Sequence, residues 1–341
     1  MAYLKPSLDC ARSWRDGMQD SLWDSVRIAL AERDVTLPAG ESAEGIVPKR
    51  TGPLDFGAYF DLVLTPPDLE ALPLAIKEEA AVYLAARLAG IVDHPVATAQ
   101  QRLVFSNLSE PAYSPGHAAR LSRWWDIEPM NSMALTGLSS QQFLSTRQLA
   151  QEALAKLSHG SPELHAEMEV LIGDIILARP DGTQRFDYSG ASSFALWGAL
   201  TVNVLEHRSW AEYLSTIVHE AAHNLLFAIA REQPLVTDAP DERRPSPLRE
   251  DLRPIDGIFH AAFVSARESM AFDAMLCSHE EQPYLSPQEV NEFTDMLESS
   301  ATAFWDCIAQ LRADAHFTPL GADILAECEA YMKANFLVEP A

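Results

Sequence analysis

Between Ala211 and Ala230 the chain reads AEYLSTIVHEAAHNLLFAIA, and this stretch restricts its folding more than any other. Leu214, Ile217, Val218, Ala221, Leu225 and Ile229 recur at spacings of three and four, the pattern of a helix that buries one stripe. No Pro or Gly interrupts it, and Pro234 stands where the helix must end. Inside lies His219-Glu220-Ala221-Ala222-His223, an HExxH motif. Residues four apart on a helix lie one above the other, so His219 and His223 can turn two imidazoles toward one metal ion. Glu220 is rotated about 100° from His219 and can flank the ion without binding it. The bland alternative is an ordinary buried histidine pair. Against it, two imidazoles and a carboxylate in an oily stripe are costly unless something satisfies them.

The 341 residues allow two domains or one large one, and 48% hydrophobic residues permit a sizeable core. No apolar run approaches the roughly 20 residues of a membrane span. The N-terminal MAYLKPSLDCARSW lacks the basic-then-apolar layout of a signal peptide. The expectation is a soluble cytoplasmic protein with no membrane partner. A formal net charge of −24, from 49 acidic against 25 basic residues, argues against nucleic acid, because phosphates need a basic footprint. It suits a cationic peptide partner, or simply a well-solvated surface. Cys10, Cys277, Cys307 and Cys328 are far apart and form no CxxC pair, which excludes a zinc ribbon and argues against a disulfide scaffold.

Helical periodicity is expected over Asp9–Arg33, Pro67–Gly90 and Ser140–His159, with a Pro- and Gly-rich loop at 37–53. Residues 1–160 thus read as a mainly helical region without a chemical motif, a scaffold with peptide binding as its functional option. Beyond Ser161-Pro162 the apolar stretches Glu169–Ala178 and Phe194–Val204 are strand candidates. The polar loop Thr237–Pro254 follows the motif helix, then helices at 255–277, from Ser286 to about Ala313, and at 319–336; Ser286-Pro287-Gln288-Glu289 is a capping box. The fold class expected is α+β and mainly helical, with a zincin-like metal helix next to a small sheet. Residues 161–341 would form the metal-dependent catalytic domain. By analogy with zincins, a strand beside the metal helix offers its edge to an extended peptide.

Two histidines do not complete a site. A catalytic zinc has three protein ligands and a water; a non-haem iron oxygenase has two His and one carboxylate. A close-spaced HExxHxxGxxH fails, since Leu226 and Ile229 stand where Gly and His would. Glu232 falls at the frayed helix end. The remaining candidates are His260, in the apolar run GIFHAAF, and Glu268, two turns beyond at the same helical phase. A lone His on an apolar face is commonly a satisfied core histidine. Here, however, a two-His helix lies just upstream, and the intervening loop lets the two helices pack antiparallel.

His219–His223, Ser246-Pro247-Leu248-Arg249, Arg253-Pro254 and Gly257–His260 lie within about residues 190–265. Together they resemble the HExxH-motif peptide-modification proteins encoded beside ribosomally made, post-translationally modified peptides. The resemblance implies an Fe(II)- and 2-oxoglutarate-dependent β-hydroxylase acting on a precursor peptide, with His219, His223 and His260 as iron ligands. A 2-oxoglutarate co-substrate needs a cation for its distal carboxylate, and the planar fork of Arg serves best. Arg249 and Arg253 are the candidates, with Arg253 nearer His260 in sequence; the alternative is that they pair with Glu250 and Asp251. Ser192, Ser193 and Asn203 are further pocket candidates.

In the hydroxylase, Glu220 would order a ligand or the substrate. The alternative is a zinc metallopeptidase with Glu220 as general base and Glu268 more attractive as third ligand. A non-catalytic binding module with a degenerate site is the third class, and the intact motif speaks against it.

Overall fold

A computed structural model describes residues 3–35, 48, 50–65, 71–92, 103–125, 133–184, 187–249 and 251–336. The loop expected at 37–53 lies mostly outside these residues, as does the start of the helix expected from Pro67. In chain order come helices α1 (Leu8–Ala31), α2 (Pro53–Val63) and α3 (Leu74–Leu88), strand β1 (Val104–Asn107), α4 (Pro115–Trp125), β2 (Leu135–Thr136), α5 (Ser140–Gly160) and α6 (Pro162–Leu171). Strands β3 (Asp174–Pro180), β4 (Gly190–Ala191) and β5 (Ala199–Asn203) follow, then α7 (Trp210–Ile229), β6 (Arg243–Arg244), β7 (Arg253–Pro254), α8 (Ile255–Glu281), α9 (Pro287–Asp314) and α10 (Pro319–Asn335). The chain is mainly helical with a small sheet, as expected. Among the described residues no helix is long and apolar enough to cross a membrane.

Contacts divide the chain into two compact units. One comprises Arg12–Leu149 and Glu169–Arg208. Its sheet runs β1-β3-β5-β4, with β2 antiparallel to the end of β3; β1, β3 and β5 are parallel and β4 is antiparallel to β5. Parallel strands are covered on both faces and so read as continuous apolar runs. Accordingly β3 (DIILARP) and β5 (ALTVN) are buried nearly throughout. The expected strand bounds need correction. Residues 169–171 close α6, and extension begins only after Gly173. Phe194–Leu196 form a 3-10 turn, and Gly198, at φ +89, turns the chain into β5.

Pro53 and Pro115 open α2 and α4, helices outside those expected from the sequence. Two buried carboxylates tie α2 to its neighbours. Asp55 accepts from Arg87 Nε at 2.7 Å and Tyr83 Oη at 3.0 Å. Asp61 accepts from Arg120 Nε at 2.7 Å and Trp124 Nε1 at 2.9 Å. On β3, buried Asp174 accepts from Ser106 Oγ at 2.6 Å and from the Tyr113 hydroxyl.

The other unit comprises Met1–Ala11, Ala150–Met168 and Ser209–Ala341. Of the catalytic segment expected at 161–341, residues 169–208 thus group with the sheet unit. Ser209 caps α7: its hydroxyl accepts from Glu212 N at 3.2 Å, and Glu212 accepts from Ser209 N at 3.0 Å. The capping box expected at Ser286 and Glu289 has the same form. Helix α8 packs on α7 and, more extensively, on α9. Beneath α8 the buried Arg267 guanidinium pairs with Glu167 and donates to Leu4 O, while Ser7 N donates to Glu167 at 3.0 Å. Glu327 of α10 accepts from Tyr3 N at 2.8 Å and Leu4 N at 3.0 Å. The N-terminal residues are therefore fastened to elements far along the chain.

Candidate metal centre

Helix α7 buries Leu214, Ile217, Val218, Ala221, Leu225 and Ile229, the stripe its sequence displays. His219, His223 and Phe227 recur every four residues on a different stripe, one that stays half-exposed. The motif histidines therefore stand beside the oily stripe rather than in it. Glu220, rotated away from them, is only 6% exposed.

Helix α8 turns a matching row toward this stripe. Its Ile258, Phe259, Ala262, Phe263, Ala266 and Met270 are buried, while His260 and Glu268 stay half-open, with side chains 14% and 13% exposed. The long 27-residue α8 explains why both sequence candidates meet the motif: they lie two turns apart on one face, as His219 and His223 lie one turn apart on theirs.

The side chains form two linked pairs. His223 Nδ1 lies 3.2 Å from His260 Nδ1, with the rings stacked at 22° and their centroids 5.5 Å apart. His219 Nδ1 lies 3.0 Å from Glu268 Oε1. The His219 and His223 centroids are 5.0 Å apart, which joins the pairs. Phe227 packs against His260 at 5.4 Å and His223 at 6.3 Å. Glu268 Oε2 accepts from Ser300 Oγ of α9 at 3.3 Å. His260 Nε2 faces Asp256 Oδ2, one turn back, at 3.8 Å, an electrostatic approach too long for a hydrogen bond.

Proton affinities follow from these neighbours. Burial pushes the His223 imidazole well down, and the His219, His260 and Arg249 charges push the same way. Burial also lowers His260, opposed by Asp256. For His219, burial acts to lower the value, but the Glu268 carboxylate, its hydrogen bond and Glu220 outweigh it, raising the imidazole to about 9.

The two arginines differ. Arg249 is exposed, and its charge reaches both His219 and His223. Among the described residues it makes no ion pair or hydrogen bond. Arg253 lies on β7 with its Nε 2.8 Å from Asp251 Oδ2, the pairing weighed as its alternative role. Glu250 lies outside the described residues. Glu232 pairs with Arg231 at 2.7 Å beyond the end of α7. Ser192, Ser193 and Asn203 belong to the sheet unit, where the Asn203 amide donates to Tyr188 O at 2.9 Å and accepts from Leu205 N at 3.1 Å.

Among the described residues no three His, Cys, Asp or Glu side chains converge as a ready-made metal cage. The donor set fits an ion all the same. His223 and His260 favour the neutral form a metal requires. Their facing nitrogens, at 3.2 Å, have about the separation of two ligands that each bind one ion at roughly 2.1 Å. His219 has one nitrogen on a carboxylate, the usual arrangement for a ligating imidazole.

Sequence reasoning missed three contributors. Phe227 and Asp256 were within reach as helical neighbours of His223 and His260. Ser300 was not, because nothing local marks the one serine of α9 that meets Glu268. Comparison of the chain with protein-family models and with curated proteins gives no match.

Proposed function

We propose that this protein is an Fe(II)- and 2-oxoglutarate-dependent oxygenase that hydroxylates a side-chain β-carbon of a ribosomally made precursor peptide. The observation that carries the reading is the approach of His260 to His223, because it supplies a third imidazole to the two of the HExxH helix. His219, His223 and His260 would hold the iron. When bound, the iron would supply, with dioxygen as oxidant and 2-oxoglutarate as co-substrate, the chemistry that turns C–H into C–OH, one oxygen atom going to the peptide and the other to succinate as carbon dioxide is released.

The chain's own residues prepare and shield that chemistry. Depressed proton affinity keeps the His223 and His260 lone pairs free at neutral pH. Phe227 covers one side of the imidazole pair and keeps water from it. Arg249, whose charge reaches the histidines, binds the distal carboxylate of 2-oxoglutarate. Glu220, beside His219 and covered, orders the motif without binding the ion.

The test combines iron-loaded protein, 2-oxoglutarate, oxygen and the precursor peptide, followed by mass spectrometry. The expected product is the peptide with one added oxygen and an equivalent of succinate, lost in His223→Ala. Intact peptide with no succinate overturns the reading.

One observation favours a second reading. A carboxylate, Glu268, stands at 3.0 Å from His219, near enough to be the third ligand of a zinc metallopeptidase with two His and one Glu. There Glu220 would take the proton of the attacking water. Peptide cleavage that is indifferent to 2-oxoglutarate is its signature.

A further inference from the structure

Glu268 uses both oxygens, each on a different helix. Oε1 meets His219 Nδ1 of α7 at 3.0 Å, and Oε2 accepts from Ser300 Oγ of α9 at 3.3 Å. Ser300 is itself only 8% exposed, and α8 and α9 are packed along their length, so the hydroxyl is held by the framework rather than by solvent. A carboxylate anchored in this way fixes the orientation of the imidazole it meets. It also selects the nitrogen open to an ion: the Nδ1 proton faces Glu268, so a metal would displace the proton of Nε2, the nitrogen that does not face Glu268. Among the described residues no carboxylate meets His223 in this way; its Nδ1 faces His260.

Resting on the metal reading above, we infer that Glu268 is a positioning residue rather than a metal ligand. Ser300 and Glu268 form a relay that fixes His219, so that its Nε2 is the nitrogen offered to the ion. The relay makes α9, which carries none of the histidines, part of the centre's framework. It also separates the two acidic residues around His219: Glu268 orients the ring from Nδ1, and Glu220 lies on the covered side of α7.

The experiment uses full-length protein and Co(II) as the probe, read by its visible absorption, with affinity from chelator competition. Circular dichroism and thermal unfolding verify the fold of each variant. Glu268→Gln keeps an acceptor oxygen for His219 Nδ1 but is a poor metal ligand; Glu268→Ala removes both roles; Ser300→Ala removes only the anchor. The relay predicts that Glu268→Ala weakens Co(II) binding by roughly 10- to 100-fold, the usual cost of losing a partner that orients a ligand. Glu268→Gln should recover most of that loss with wild-type band positions, and Ser300→Ala should cost a few-fold.

If Glu268→Gln binds as weakly as Glu268→Ala and shifts the Co(II) bands, Glu268 is a ligand and the inference is overturned. Wild-type affinity in all three variants overturns it as well, leaving an ion pair of no consequence to the centre. Should Glu268→Ala not fold, the Gln and Ser300→Ala variants still decide. Wild-type protein that binds no Co(II) at all overturns the metal reading itself, an outcome distinct from either of the others.

Discussion

Arg249 and Arg253 are one helical turn apart in number but differ in surroundings. Arg253 already shares its charge with Asp251, whereas the Arg249 charge is felt by His219 and His223. A hydrogen bond to a charged group contributes about 1.5–3 kcal/mol. Arg249→Ala should therefore raise the 2-oxoglutarate concentration needed for half-maximal succinate release by roughly tenfold or more. Arg253→Ala should change it less than about threefold by the same reasoning; a reversed ranking assigns the clamp to Arg253. Glu220 separates the two reactions. In a hydroxylase, Glu220→Gln should leave the oxygen-insertion rate within an order of magnitude, because no proton passes through it. In a peptidase the same change removes a general base and costs roughly 10²–10⁴-fold in turnover.

At the scale of elements, the metal helix and its partner were legible because both obey simple periodicities. The apolar spacing around His219 gave α7, and the run from Ile258 to Met275 gave α8. The capping box at Ser286 gave the start of α9. The helix opened by Pro53 escaped notice because it is buried on most sides and shows little periodicity, whereas the one opened by Pro115 buries Arg120, Leu121, Trp124 and Trp125 at helical spacing and could have been found from it. The strand ends were misplaced because apolar β-branched runs do not reveal where Gly173 and Gly198 redirect the backbone. The placement of Glu268 against Ser300 belongs to helix packing, which spacing in one helix cannot encode.

Packing also sets the vulnerable points. A Cβ on Gly321 of α10 would lie 2.0 Å from the Leu235 carbonyl oxygen, and backbone cannot yield as a side chain can. Gly321→Ala should destabilise by about 3 kcal/mol in urea titration, with Ala322→Ser as the neutral control. Arg267→Ala leaves the buried Glu167 charge without its cation, held only by the Ser7 N–H, and about 3–5 kcal/mol should be lost.

At the scale of the whole molecule, a buried carboxyl outside the candidate centre makes stability depend on pH. Burial raises the Asp174 carboxyl to about 6, against the pull of Ser106 and Tyr113. The unfolded chain ionises this group near pH 4, so between about pH 4 and 6 the folded form holds the proton more tightly. Its contribution is therefore full below pH 4 and is lost as pH rises through 6. Asp174→Asn, which cannot ionise, should remove that component. The difference in urea midpoint between the two proteins across this interval, on the order of 2–3 kcal/mol, measures it. No difference would mean that the acid is ionised in the fold throughout.

The fastening of Tyr3 and Leu4 to Glu327 also sets an order of events during synthesis. Every residue of the sheet unit leaves the ribosome by Arg208, before the second half of the other unit exists. The backbone N–H groups of Tyr3 and Leu4 must wait until α10 emerges to find their acceptor, although Leu4 is fully buried in the finished protein. The histidines of α7 and α8 are translated well before that closure. A nascent chain released before Glu327 therefore carries all three imidazoles on a unit whose opening residues are held only through Arg267 and Glu167.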